Sequence, residues 1–360
     1  MYEKIYTERI KQFIDRISKL KYASPVQMDA EYIYDKIEPI PYKDAVKAKF
    51  KPIKAGAKWG KLWGCAWFRF KGEIPAEFDG LEAGALIDLD GEGCVFVNGV
   101  PDQGLTNKTD WYINSGKYYY RLSKKAKAGE RFSILVEAGA NGLFGKSKDE
   151  FRLVKAELVT FDPRIEKLEF DMTVLFDLMK RLPESSPRKK KLLKGLNDCV
   201  NAYGAGEGTD RALKITKELL SKKANESAMT VYSVGHAHID LAWLWPVRET
   251  RRKAGRTFST ALKLMDEYPE YIFGSSQPQM YEWVKEDYPK LYDKIKKAVK
   301  KGRWEVQGAM WVEPDMNITS GESLVRQCLY GKKFFADEFG IDVKNLWLPD
   351  VFGYSAALPQ

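Results

Sequence analysis

Histidine is scarce in this chain of 360 residues: there are two, against ten tryptophans and nineteen tyrosines. A metal site that needs three or more imidazoles is excluded from these residues. Cysteine is nearly as scarce. Cys65, Cys94, Cys199 and Cys328 make no Cys-x-x-Cys pair and no zinc-knuckle spacing. That excludes a disulfide framework and a thiolate zinc site, and it fits reduced thiols in a cytoplasmic protein. No run approaches the roughly 18 apolar residues of a membrane span, so no membrane partner is expected. The N-terminal stretch MYEKIYTERIKQFIDRISKL lacks an apolar signal core and mixes acids with bases, which excludes a secretory or transit peptide. It reads instead as an amphipathic helix with Ile10, Phe13, Ile14, Ile17 and Leu20 on one face.

Acid falls short of base, 50 residues against 59, for a net charge of +9. The lysines are scattered with Asp or Glu beside them, and the densest run, SPRKKKLLKG from Ser186, is short. A nucleic-acid partner is not expected. What is present in quantity is apolar: 44% hydrophobic and 13% aromatic residues suffice for packed domains, and the length is too great for one core.

Four textures follow one another. Residues 1–58 read as the helix and a linker bearing Pro25, Pro39, Pro41 and Pro52. Residues 59–162 read as an antiparallel β-sandwich, jelly-roll-like. CAWFRFKGEI alternates, ALIDLDGEGCVFVNGVPDQG gives strands broken at DGEG and turned at Asn98-Gly99, and YYYRLS and RFSILVEAG add more. Residues 163–228 carry apolar residues at helical spacing and form a helical connector. From 229 strands and helices alternate, the pattern of a parallel sheet, open or closed into a barrel. The predicted strands are MTVYSV, YIFGSS, RWEVQG and NLWLP. Thr319 and Glu322 form a capping box for the last helix.

In such folds chemistry gathers where strands end. After the first strand comes GHAHIDLAWLWP, residues 235–246, with both histidines, Asp240, Trp243 and Trp245. SSQPQ after the second is polar and says little. Trp311, Glu313 and Asp315 follow the third, and Asp350, Phe352 and Tyr354 follow the fourth. Acids beside flat rings suit a sugar site. His238 and Asp240 can put a nitrogen and an oxygen on one cation such as zinc. Plainer roles stand beside these. His236 can simply hydrogen-bond in its loop, the tryptophans can pack the core, Glu313 and Asp315 can favour a helix N-terminus, and Asp350 can serve a turn.

GHAHIDLAWLWP, GAMWVEPDMNITSGESLVRQ and LWLPDVFGYSAALPQ, in that order, resemble the signature blocks of family 38 glycoside hydrolases, the retaining α-mannosidases, in their cytosolic and vacuolar branch. The resemblance implies a sandwich and helices ahead of a catalytic (β/α)7 barrel, of which residues 229–360 would be the first part. It implies His238, Asp240 and Asp350 as ligands of one divalent ion, zinc with cobalt as alternative. Asp350 would also be the catalytic nucleophile. Trp243 and Phe352 would line the sugar pocket, and Glu313 and Asp315 lie in a block of polar substrate contacts. The expected substrates are mannose-containing oligosaccharides, and a homo-oligomer is compatible with the pattern. The family's fourth ligand, a distant histidine, has no counterpart here, and neither has its general acid. The chain is therefore expected to be the N-terminal part of a longer protein and inactive alone. Two rivals stand: an amidohydrolase-like metallohydrolase built on His236-x-His238, and a non-catalytic carbohydrate-binding fragment.

Overall fold

The computed structural model describes residues 2–360 apart from 36–37, 108–115, 146–147, 207, 225, 357 and 359–360. In chain order, α1 (Tyr2–Ile17) leads to β1 (Tyr22–Gln27), β2 (Asp29–Asp35), α2 (Tyr42–Ala45), β3 (Lys51–Ile53), β4 (Lys58–Lys61) and β5 (Cys65–Glu73). There follow β6 (Ala83–Asp88), β7 (Glu92–Val97), β8 (Val100–Leu105), β9 (Tyr119–Ser123), β10 (Arg131–Gly139), β11 (Glu150–Arg152) and β12 (Lys155–Phe161). Ten of these strands make an antiparallel sandwich of a four-stranded sheet, β1-β12-β6-β9, and a six-stranded sheet, β3-β2-β5-β10-β7-β8, while β4 and β11 pair with each other. Phe68, Phe70, Ile87, Val95, Ile134 and Val136 fill the space between them.

Local chemistry explains the connections. Asn98 and Gly99 both take positive φ, 50° and 78°. That is the two-residue turn whose twist matches a hairpin, and it joins β7 to β8 at Val97↔Val100. The break at DGEG does more than interrupt a strand: β6 pairs in one sheet and β7 in the other. The proline-bearing stretch expected to be a linker instead supplies β1 to β3. Pro25 and Pro52 fall on strands at sheet edges, where a missing N–H costs no ladder bond, and β1 is irregular between Ala23 and Val26.

The helical connector is α3 (Pro163–Arg181), α4 (Pro187–Gly204) and α5 (Gly208–Leu220). Asp162 caps α3 by accepting from the N–H groups of Arg164 and Ile165. The predicted face of α1 packs here, Ile10, Phe13 and Ile17 against Leu168, Met172, Leu192 and Leu196. Leu20 lies beyond the helix and is half exposed.

The last part holds β13 (Gly235–His236), α6 (Val247–Glu267), β14 (Phe273–Ser275), α7 (Pro278–Asp287), α8 (Pro289–Lys300), β15 (Trp304–Val306) and α9 (Gly321–Phe339). The strands are parallel in the order β13-β14-β15. Two predicted strands are absent among the described residues. MTVYSV precedes the edge strand β13 with no ladder partner, and Met229 and Tyr232 are 90% and 93% exposed. NLWLP lies beyond α9 without a ladder. Its side chains are held instead: Asn345 Oδ1 accepts from Gly308 N at 3.4 Å, and Trp347 bonds His236. The cap of α9 also shifts by one residue, to Ser320, whose hydroxyl accepts from Ser323 N. Three parallel strands do not close a barrel.

Helix α6 joins this part to the sandwich. It starts ten residues before the stretch TFSTALKLMDEYP, and its first half is charged yet buried. Arg252 bonds Glu137 on β10 at 3.1 Å and Glu249 at 2.6 Å. Lys253 and Arg256 both reach Glu92 on β7. Three buried cations thus meet three buried carboxylates. Further along, Thr260 Oγ1 accepts from Gly104 N at 2.9 Å and Lys263 pairs with Asp102 at 2.6 Å.

Candidate active site

Three loops leaving β13, β14 and β15 converge with a fourth that follows NLWLP. The first leaves β13 with His236 to Asp240. The second leaves β14 with Ser276 and Gln277, each 2% exposed. Gln277 takes φ 63°, a left-handed conformation uncommon outside glycine. It repays the strain with two bonds that tie neighbouring loops together. Its Nε2 donates to Ile239 O at 2.9 Å, and its Oε1 accepts from Glu313 N at 3.3 Å. The third loop leaves β15 and lies against α9. A Cβ on Gly331 would come within 2.1 Å of Ala309 O, so only glycine lets the loop pass. Trp311 N donates to Gln327 O, and Val312 N to Gln327 Oε1. The fourth loop carries Asp350.

The two histidines take different roles. His236 Nδ1 lies 2.9 Å from Gly274 O, which only accepts, so Nδ1 carries the proton. Its Nε2 then accepts from Trp347 Nε1 at 3.2 Å. Both nitrogens are spent within the fold, as the loop-bonding reading expects.

His238 is the hub. Its Nε2 faces Asp240 Oδ1 at 3.3 Å and Asp350 Oδ2 at 3.7 Å. One donor atom from each of the three residues falls within 4.8 Å of the others. Ligands at roughly 2.0–2.2 Å from a tetrahedral ion stand about 3.3–3.6 Å apart, so the spacing and the donor set both suit a small divalent cation. Behind the ring, Nδ1 lies 2.8 Å from Glu313 Oε2, close but poorly aligned for a hydrogen bond. Glu313 foremost, then Asp240, pushes the His238 imidazole up to about 9 against the opposing effect of burial. A cation at this ring would compete with the proton that these acids favour.

Beside the cluster opens a cavity of about 570 Å³, lined by His238, Asp240, Asp350 and Trp243, by Thr257 and Thr260 of α6, and by Leu105, Thr106 and Phe144 of the sandwich. Trp243 is 51% exposed. Trp245 is structural: its Nε1 donates to Thr250 Oγ1, and the Lys253 ammonium sits 4.6 Å from its ring centre. Trp311 packs edge-on to Phe334 and donates to Gln279.

Of the residues expected to form the site, His238, Asp240, Asp350 and Glu313 come together, with Trp243 on the cavity wall. Phe352 is 84% exposed, and it does not line the cavity. Asp315 is not brought to the cluster. Its carboxylate accepts from Asn317 N and Ile318 N at 2.8 and 2.9 Å, which holds it below the ordinary carboxylate range. Ser276 and Gln277 were missed. Nothing in SSQPQ marks a hydroxyl or an amide as a brace, because their partners lie 37 and 38 residues away.

Two family domains and several relatives match the chain. Residues 24–178 match the family described as alpha-mannosidase, jelly roll domain, and residues 228–360 match the glycosyl hydrolases family 38 N-terminal domain. Alpha-mannosidase G of Dictyostelium discoideum is 35% identical over the whole chain and 35% of its own length. Alpha-mannosidase 2C1 of Homo sapiens is 38% identical over 90% of the chain and 32% of its own length. The alpha-mannosidase of Saccharomyces cerevisiae is 31% identical over 98% of the chain and 34% of its own length. The chain spans about a third of the length of these relatives. With two consecutive family domains matched and the cluster lying inside the second, the chain belongs to glycosyl hydrolase family 38.

Proposed function

We propose that this chain carries the glycone-binding part of a retaining, metal-dependent α-mannosidase that removes terminal α-mannosyl residues from oligosaccharides. The observation that carries the reading is the convergence of His238, Asp240 and Asp350 on one point within the matched domain. A bound divalent ion, zinc first and cobalt second, would supply a Lewis acid for the cis 2- and 3-hydroxyls of mannose. Asp350, 57% exposed at its side chain beside the cavity, is the nucleophile: its carboxylate attacks C1, the glycosidic bond breaks with its electron pair passing to the leaving oxygen, which a general acid protonates, and a glycosyl ester forms. Trp243 offers its face to the ring. Asp240 and His238 hold their donor atoms inward.

The part from 229 onward is read as the opening of a β/α barrel, supported by parallel strands in sequence order with helices between them. The sandwich braces it and walls the cavity. His236 argues against the amidohydrolase-like rival, since its two nitrogens are already occupied.

The test is α-mannosyl fluoride with the 360-residue chain and zinc, read with a fluoride electrode. Fluoride leaves without a proton, so the nucleophile and the cation suffice. Release is expected to depend on zinc, to fall to background in Asp350→Asn, and to be absent with α-glucosyl fluoride. An aryl α-mannoside, whose leaving group gains roughly 10²- to 10⁴-fold from a proton donor, is expected to stay intact. Zinc-independent release, or release unchanged in Asp350→Asn, would overturn the reading.

A further inference from the structure

Glu313 sits where the sequence suggests a sugar contact, but its surroundings suggest another task. Its side chain is 5% exposed, and among the described residues it does not line the cavity. Its Oε1 accepts from Ser276 Oγ at 2.6 Å, and its Oε2 faces His238 Nδ1 at 2.8 Å. Among the described residues no lysine or arginine pairs with it. A carboxylate buried without a cation is costly unless another group compensates it, and the one partner able to do so is the imidazole. The residue's own backbone is pinned as well, by Gln277 on one side and by the loop's bonds to Gln327 on the other.

Resting on the metal-binding reading above, we propose that Glu313, held by Ser276, is a positioning residue that accepts the Nδ1 proton of His238 and so commits Nε2 to the cation. An imidazole has two nitrogens, and either can take a metal ion. With Nδ1–H given to a fixed carboxylate, the neutral ring has one lone pair left, and that lone pair sits on the nitrogen that faces Asp240 and Asp350. A carboxylate behind a ligating histidine also raises the ring's basicity and fixes its plane. The loop after β15, braced by the loop after β14, thus sets the orientation of the ligand on the loop after β13.

Two measurements on the 360-residue chain test this. The first is the zinc Kd, from competition with a chromophoric chelator, for the parent, Glu313→Gln, Ser276→Ala and His238→Ala. Glu313→Gln is expected to weaken binding roughly 10- to 100-fold. Ser276→Ala should weaken it in the same direction by less than about tenfold, since the carboxylate stays but loses its brace. His238→Ala should weaken it beyond either. The second is the ¹⁵N spectrum of the zinc-loaded parent, in which only two imidazoles appear. His238 is expected to keep its proton on Nδ1 and to carry the metal on Nε2, a signature that mere packing would not dictate. If Glu313→Gln fails to fold by circular dichroism, this spectrum and Ser276→Ala decide. Zinc on Nδ1 overturns the proposal. So does a Glu313→Gln variant that binds zinc as tightly as the parent. A variant as weak as His238→Ala overturns it too, because Glu313 would then be a ligand itself. A parent that binds no zinc at all defeats the metal reading instead.

Discussion

Residues 249–256, ETRRKAGR, are buried from end to end except Arg251, although five of the eight are charged. Residues 229–234, MTVYSV, are mostly apolar and stand open to solvent. The two stretches flank the loop that holds His238. What separates them is the neighbour each one finds. The charged stretch begins a helix that meets β7 and β10 at Glu92 and Glu137, where each cation finds a carboxylate. The apolar stretch precedes an edge strand and meets no ladder partner. Burial here follows partnership more than hydropathy. An ion network of this kind contributes little net stability over an apolar core of the same shape, but removing one member leaves a buried charge exposed to nothing but its like.

That contrast can be broken most sharply at Arg252. Arg252→Met leaves Glu137 and Glu249 buried without their shared cation, and should lower stability by roughly 3–5 kcal/mol, measured as a shift in urea midpoint. A loss under about 1 kcal/mol would mean that the network is idle. Acid should do a milder version of the same thing. Burial alone would raise Glu249, but Arg252 and Arg256 outweigh it and hold the carboxyl below its ordinary 4.5. Its contribution is therefore complete above pH 4.5 and is lost as pH falls through the depressed value. The parent should lose stability on acidification by up to about 1.4 kcal/mol per pH unit for this group. Glu249→Gln, less stable at neutral pH, should show a shallower acid slope. Equal slopes would assign the acid sensitivity elsewhere.

On the exposed side the effects should be small. Trp243→Ala should leave the thermal midpoint within a few degrees while weakening the binding of a mannoside to the zinc-loaded chain. A collapse in midpoint would make Trp243 a packing residue after all. Tyr232→Ser, at a residue 93% exposed, should change stability by no more than about 0.5 kcal/mol. A larger loss would show that 229–234 is covered in solution.

The same contrast marks what could be read from the residues alone. Asn98-Gly99 was legible because a two-residue hairpin demands positive φ at both positions. RFSILVEAG was legible as β10 because apolar residues alternate along it. His238, Asp240 and Asp350 stood out by residue type and by the resemblance of their motifs, His238 and Asp240 also by their place after a strand, and the structure brings their donor atoms together. MTVYSV misled because strand-forming residues do not make a strand without a partner. The first half of α6 was overlooked because charge normally marks a wet face, and two of its counter-charges, Glu137 and Glu92, lie more than 100 residues away on the sandwich. Pro25 and Pro52 looked like a linker because edge and centre of a sheet cannot be told apart before the sheet is known. Ser276 and Gln277 were illegible for the same reason: each matters only through residues on another loop.

The central claim is that one imidazole and the carboxylates of Asp240 and Asp350 hold a single cation. X-ray absorption at the zinc edge of the loaded chain tests it most directly. One imidazole nitrogen with oxygen neighbours at roughly 2.0–2.2 Å and no sulfur is expected, with loss of that shell in Asp350→Asn. Two imidazoles around the zinc would contradict it, because His236 would have left Gly274 and Trp347 for the metal and the site would belong to a different chemistry.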